Sequence, residues 1–216
     1  MFDTLTVHLR PPVVRMGSVK LSDYGLSEGW NYYACLQYSK KMHPEFDKVI
    51  GGILRKDKNG RILLLEGSRI FVERFKGSGF DDDMLSRLVF VKRMPRYELL
   101  QMLGLCRAFL GTFPWGEGVT SFEALSMDLP VVVLPAFITV EQLALGQLRM
   151  LGIDKTLAAS SVEEYVKVAV RLGGDDEFKE GITGWIKEQK WRIFGEGNLD
   201  AVAKEWGKFL FRAAGR

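Results

Sequence analysis

The sequence predicts an α/β domain built on a doubly wound parallel sheet. Short apolar runs without alternation, "YYACLQ", "RILLLE", "RLVFVK" and "PVVVL", read as strands buried on both faces. The segments between them carry apolar residues at helical spacing, and this strand–helix alternation persists over most of the chain. Right-handed crossovers turn such an alternation into a parallel sheet with helices on both faces, a Rossmann-like arrangement.

Residues 1–31 show no sustained period and read as a linker or extended arm; the domain is expected over 32–216. The first strand is 32–37. "HPEFDKVIGGILRKD" (43–57) follows as a helix with Pro44 in its first turn, where the missing N–H would be unpaired in any case. The basic run "RKDKNGR" (55–61) ends that helix as a solvated turn, and Asn59-Gly60 leads into the second strand at 61–66. A helical stretch at 69–76 and an acidic loop at 81–83 precede the third strand, 87–92. Pro95 opens a helix with Leu99, Leu100 and Leu103 on one face. The fourth strand is 106–112, after which a glycine-containing loop enters a helix near 119–128. The fifth strand, 130–134, is followed by a helix at 139–151 and a short strand at 156–159. Ser161 caps the next helix, with Glu163 and Glu164 near the positive end of its dipole. Another helix spans 176–191. The last begins near 198 and places Leu199, Val202, Trp206, Phe209 and Leu210 on one face.

A chain of 216 residues can bury about 70% of its unfolded surface in one large domain. Its net charge of +3 comes from interspersed charges of both signs, so there is no basic stripe of the kind that tracks nucleic acid. Cys35 and Cys106 lie in apolar contexts without ligand spacing, and His8 and His43 lack His or Cys neighbours. Neither a metal site nor a disulfide framework is expected. No apolar run approaches the ~18 residues of a membrane span, and nothing resembles a signal peptide, so a cytoplasmic or nucleocytoplasmic location is expected.

The chemistry concentrates in "FPWGEGVTSFEALSMDLPVVVLP" (113–135). Gly116 and Gly118 allow left-handed backbone and close approach by another molecule. Thr120 and Ser121 open the following helix, whose free N–H groups and dipole favour an anion. Glu123, a turn further on, can accept two hydrogen bonds from a vicinal diol such as a ribose. These parts suit a nucleoside diphosphate, although a glycine turn entering an ordinary helix accounts for the same residues. Gln37, Lys40 and Lys41 follow the first strand at the same sheet edge, either facing a pyrophosphate across a cleft or forming a solvated turn. Trp115 is expected to pack under the loop rather than stack on a ligand.

Three stretches together, "CLQYSKKMHPEFD", "RLVFVKRMPRYELLQMLGLCRAFLGTFPWGEGVTSFEALSMDLPVVVLP" and "LGQLRMLGIDKTLAASSVEEYVKVAVRL", resemble the C-terminal, donor-binding half of the O-GlcNAc transferase-like (O-GlcNAc transferase / SPINDLY) protein glycosyltransferases. The resemblance implies one half of a GT-B architecture with C-terminal helices. It implies UDP-GlcNAc-type transfer, or transfer from a GDP-sugar, to Ser or Thr of proteins, without a metal or other cofactor. By position, Gln37 and Lys41 match the glutamine and lysine near the donor diphosphate, with Lys41 as the catalytic candidate. Gly116, Gly118, Val119 and Thr120 match the phosphate-cradling loop. Glu123 matches the acidic residue on the ribose, and Met94 and Arg96 flank the proline of the base-contacting turn.

The chain also departs from the family pattern. Relatives read "LDPFPWGGGNT" where this chain has "LGTFPWGEGVT", so an aspartate is Gly111, a glycine is Glu117 and an asparagine is Val119. A carboxylate at 117 beside a diphosphate would repel it by about 1 kcal/mol at ~4 Å in water, and by more if desolvated. The pattern "PGE" is "PAF", with Gln142 in place of a following arginine. The acceptor-side half of the family is not recognisable, so transfer is expected to need that half as a partner. The alternative is a non-catalytic remnant serving as a protein-interaction or nucleotide-sugar-sensing module.

Overall fold

The computed structural model describes residues 14, 16–195 and 197–215. Residues 1–13 and 15 of the expected arm lie outside that range. Within it, five parallel strands alternate with helices: β1 (Asn31–Cys35), α1 (Asp47–Lys56), β2 (Gly60–Leu65), α2 (Val72–Gly77), α3 (Asp82–Ser86), β3 (Leu88–Val91), α4 (Arg96–Gly104), β4 (Ala108–Leu110), α5 (Val119–Ser126), β5 (Val131–Val132), α6 (Thr139–Leu151) and α7 (Asp154–Leu157). Four helices complete the chain: α8 (Val162–Gly174), α9 (Asp176–Gln189), α10 (Trp191–Phe194) and α11 (Gly197–Ala213).

The strand order is β3-β2-β1-β4-β5, and every pair is parallel. The chain winds outward from β1 through β2 to β3, then crosses back to β4 and winds the other way. A crevice therefore opens beyond the carboxyl ends of β1 and β4, where ligands bind in doubly wound sheets. Tyr33, Ala34 and Cys35 on β1 and Ile62, Leu63 and Leu64 on β2 are fully buried, which accounts for their unbroken apolar runs. Buried Tyr165 on α8 donates its hydroxyl proton to the Gly111 carbonyl oxygen at 3.0 Å, tying a covering helix to the end of β4.

Several boundaries differ from the sequence reading for local reasons. Asp81 in the acidic 81–83 segment is a helix cap, its carboxylate accepting from Met84 N at 2.8 Å and opening α3. The fourth strand shortens to Ala108–Leu110, flanked by the bonds from Arg107 N–H to the Tyr32 carbonyl oxygen and from Gly111 N–H to the Val132 carbonyl oxygen. The expected strand at 156–159 is instead the end of α7 followed by one parallel bridge, Val133 to Ala158. Pro44 begins a short 3₁₀ turn, Pro44–Phe46, that feeds α1. Leu21 and Leu26, in the segment read as an arm, are buried in the core. The face of α11 that carries Leu199, Trp206, Phe209 and Leu210 is largely exposed rather than packed inward.

Candidate functional site

The two loops at the carboxyl ends of β1 and β4 are bonded to each other across the crevice. Gln37, buried two residues beyond β1, donates from Nε2 to Thr120 Oγ1 at 2.5 Å. Lys41, at the end of the 3₁₀ turn Ser39–Lys41, donates from Nζ to the Gly116 carbonyl oxygen at 3.1 Å. Lys40 is exposed, its Nζ 5.8 Å from the centre of the Tyr38 ring. The one-residue offset thus sends Lys41 to the loop and leaves Lys40 in solvent.

Helix α5 begins at Val119 with Gly118 as its N-cap, and no side chain caps it. Its first-turn amides are therefore available to an anion, in the field of the helix dipole. Gly118 has φ −112°, and the left-handed glycines lie elsewhere, so this loop does not use the positive φ that its glycines permit. Val119 is exposed. Glu123 is buried but accessible to one partner: Arg96 donates from Nε to its Oε1 at 2.8 Å. Met94 packs partly against the core, two residues before Arg96. The structure thus gathers Gln37, Lys41, Gly116, Gly118, Val119 and Thr120 at one crevice, with Glu123 already held by Arg96.

Glu117 does not project into the crevice as the sequence suggested. It is 1% exposed, and its Oε1 accepts hydrogen bonds from the Thr112 backbone N–H and from Thr112 Oγ1, the latter at 3.0 Å. Thr112 Oγ1 also lies 2.8 Å from the Trp115 carbonyl oxygen. One hydroxyl and one carboxyl group therefore close residues 112–117 into a compact turn. Burial pushes the Glu117 carboxyl up to about 8, against the lowering effect of the Thr112 donors and the Lys41 charge. Trp115, expected beneath the loop, is 54% exposed, because Glu117 fills the interior of the turn. The Phe113–Pro114 peptide in this turn is cis.

Two residues, Thr112 and Gln147, and one contact, that of Arg96 with Glu123, go beyond the sequence expectation. Thr112 carried only the weak signal of a hydroxyl next to Gly111. The Arg96 side chain reaches Glu123 across 27 residues of sequence. Gln147 on α6 donates from Nε2 to the Gly118 carbonyl oxygen at 3.2 Å, and its one signal was an amide spaced four residues from both Leu143 and Leu151. Gln142 donates to the Ala136 carbonyl oxygen at 2.8 Å. Among the described residues no cluster of three His, Cys, Asp or Glu side chains is arranged to hold a metal, and no helix is long and apolar enough to cross a membrane.

Comparison with known proteins gives this geometry a context. Residues 22–195 match the family model for glycosyl transferase family 41. A probable UDP-N-acetylglucosamine–peptide N-acetylglucosaminyltransferase, SEC, of Arabidopsis thaliana is 26% identical over 157 residues, which is 71% of this chain and 16% of the plant protein. Among solved structures, a mutant of the Thermobaculum terrenum O-GlcNAc transferase superposes with a TM-score of 0.77 at 22% identity, over 93% of this chain and 38% of the bacterial one. The C-terminal CMP-Kdo binding domain of WaaA from Acinetobacter baumannii matches with a TM-score of 0.52 at 12% identity, over 78% of this chain and 92% of that domain. The chain thus spans well under half the length of its plant and Thermobaculum relatives. Its fold is that of one half of a GT-B glycosyltransferase.

Proposed function

The chain belongs to glycosyl transferase family 41, and from that premise we propose that it is the nucleotide-sugar-binding half of a protein O-glycosyltransferase. The observation that carries this reading is the pair of bonds across the crevice, Gln37 to Thr120 and Lys41 to Gly116, beside the uncapped first turn of α5. A nucleoside diphosphate sugar, of the UDP-GlcNAc type, lies with its phosphates on the amides of residues 118–120 and its ribose towards Glu123. Lys41 exchanges its carbonyl partner for the leaving phosphate.

In the reaction, a Ser or Thr hydroxyl oxygen of an acceptor protein bonds to the anomeric carbon as the carbon–oxygen bond to the diphosphate breaks. The electron pair leaves with the diphosphate, whose growing charge is stabilised by Lys41 and the helix amides without a metal. The acceptor's proton goes to a base on an acceptor-side half, which also positions the hydroxyl. The test is calorimetric titration of the chain with UDP and with GDP, alongside Glu123→Ala. Saturable binding of one nucleotide, weakened at least tenfold in the variant, supports the reading and identifies the donor class. No binding of either at millimolar concentration overturns it.

One observation favours a second reading. Glu123 already holds an intramolecular cation, Arg96, at the place proposed for the ribose. A remnant that keeps the fold for protein interaction would have this arrangement, and it gives the no-binding outcome of the same titration.

A further inference from the structure

The Gly118 carbonyl oxygen receives two side-chain donors from within the fold. Ser121 Oγ lies 2.9 Å away and Gln147 Nε2 lies 3.2 Å away. The peptide that follows Gly118 is planar and trans, so its C=O and N–H point in opposite directions. Gln147 is 1% exposed. Gly118 is the N-cap of α5, so its carbonyl faces into the helix, and the buried amide holds it there with the Val119 N–H directed the opposite way.

Only the NH₂ end of a carboxamide can donate to a carbonyl, so the bond to Gly118 fixes which way Gln147 faces. Its Oε1 is then left buried without a hydrogen-bond partner among the described residues. An apolar side chain at this place on α6 would avoid that unfavourable acceptor. The amide's contribution here is its hold on Gly118, and its Leu143 neighbour packs 3.5 Å from where a Cβ on Gly118 would stand.

We propose that Gln147 is a positioning residue of the donor site, orienting the Gly118–Val119 peptide so that the first amide of α5 faces the donor phosphates. This rests on the donor-binding reading above, and it assigns to α6 a part in a site otherwise built from the β1 and β4 loops. Gln147 does not touch the donor. It acts through the backbone, so its removal selectively weakens ligands that carry phosphate.

The experiment compares the wild-type chain with Gln147→Met, which keeps length and volume, and with Gln147→Leu as a second apolar variant. UDP binding is measured by calorimetry, binding of uridine (no phosphate) by ligand-observed NMR, and folding by thermal melts. Amide exchange over residues 116–122 is followed in parallel. Expected are a melting temperature equal to or above that of wild type, UDP affinity down at least tenfold, uridine binding unchanged, and faster exchange of the loop amides. Equal losses for UDP and uridine, or a lowered melting temperature with unchanged UDP affinity, would reduce Gln147 to a packing residue. Wild-type UDP binding that neither variant alters overturns this inference alone. Absence of UDP and GDP binding in the wild-type chain overturns the donor-site reading and this inference together.

Discussion

The carboxyl group of Glu117 occupies the space that a side chain at Gly111 would need. A Cβ placed on Gly111 would stand 2.6 Å from Glu117 Oε2, 2.9 Å from the Val132 carbonyl oxygen and 3.0 Å from Val133 Cγ1. The two positions at which the resemblance implies a departure, an acid expected at 111 and one present at 117, thus meet in one place. The acid at 117 ties back to Thr112 and closes the turn from the inside instead of confronting a ligand.

That relationship predicts coupling between the two positions. Gly111→Ala forces a methyl group against a carboxyl oxygen and a strand carbonyl, and is expected to destabilise by about 1–3 kcal/mol, as overpacking does. Glu117→Ala removes one of the obstacles but also the Thr112 bonds. The double variant is therefore expected to be more stable than the sum of the single losses, though below wild type because the Val132 oxygen remains. Urea unfolding of the four proteins measures the interaction, and strict additivity would mean the side chains do not share this space.

The same burial gives a pH dependence whose sign is fixed. The Glu117 carboxyl moves from an ordinary 4.5 to about 8 because burial disfavours its charge. Above pH ~4.5 the unfolded chain releases this proton while the folded chain keeps it until pH ~8, so the native state binds more protons and its stability falls across that window. Glu117→Gln keeps an oxygen for Thr112 and has no proton to lose. Relative to wild type, it is expected to gain stability from pH 5 to pH 8 and to hold that gain above. Denaturant melts at pH 5, 7 and 9 would decide; a difference that does not change with pH would show that the wild-type carboxyl is ionised throughout.

The sheet was legible because its strands are buried on both faces, and Ser161 marks its helix by a rule that depends on neighbouring residues alone, whereas Pro44 marks the 3₁₀ turn ahead of α1. Asp81 reads as loop in the sequence because its helix is a single short turn, with Met84 as its one buried residue. In the candidate site, Gln37, Thr120 and the pair Lys40–Lys41 could be picked out because strand ends at a switch point converge whatever the details, while the choice of Lys41 came from the resemblance. Glu117 could not be placed, since its inward turn depends on a missing Cβ six residues earlier. Nor could the bonds of Gln147 to Gly118 and of Arg96 to Glu123, because each joins segments some thirty residues apart through a partner whose orientation only the packed fold sets.

Arg96 and Glu123 yield the most discriminating expectation for the donor site. The arginine is about half exposed, so its ion pair adds no more than about 1 kcal/mol to stability, and Arg96→Ala should leave the melting temperature nearly unchanged. Its effect on ligand binding is different in kind. A ribose diol that donates two hydrogen bonds to Glu123 competes with the guanidinium for Oε1, and freeing the carboxylate beforehand removes that competition. Arg96→Ala is therefore expected to tighten UDP binding severalfold. The gain should vanish with 2′,3′-dideoxyuridine diphosphate, which keeps the phosphates and base but has no diol. Titrating both nucleotides against both proteins separates the contributions. Weaker UDP binding in the variant would place Arg96 itself among the ligand's contacts. An equal gain for both nucleotides would take the ribose away from Glu123.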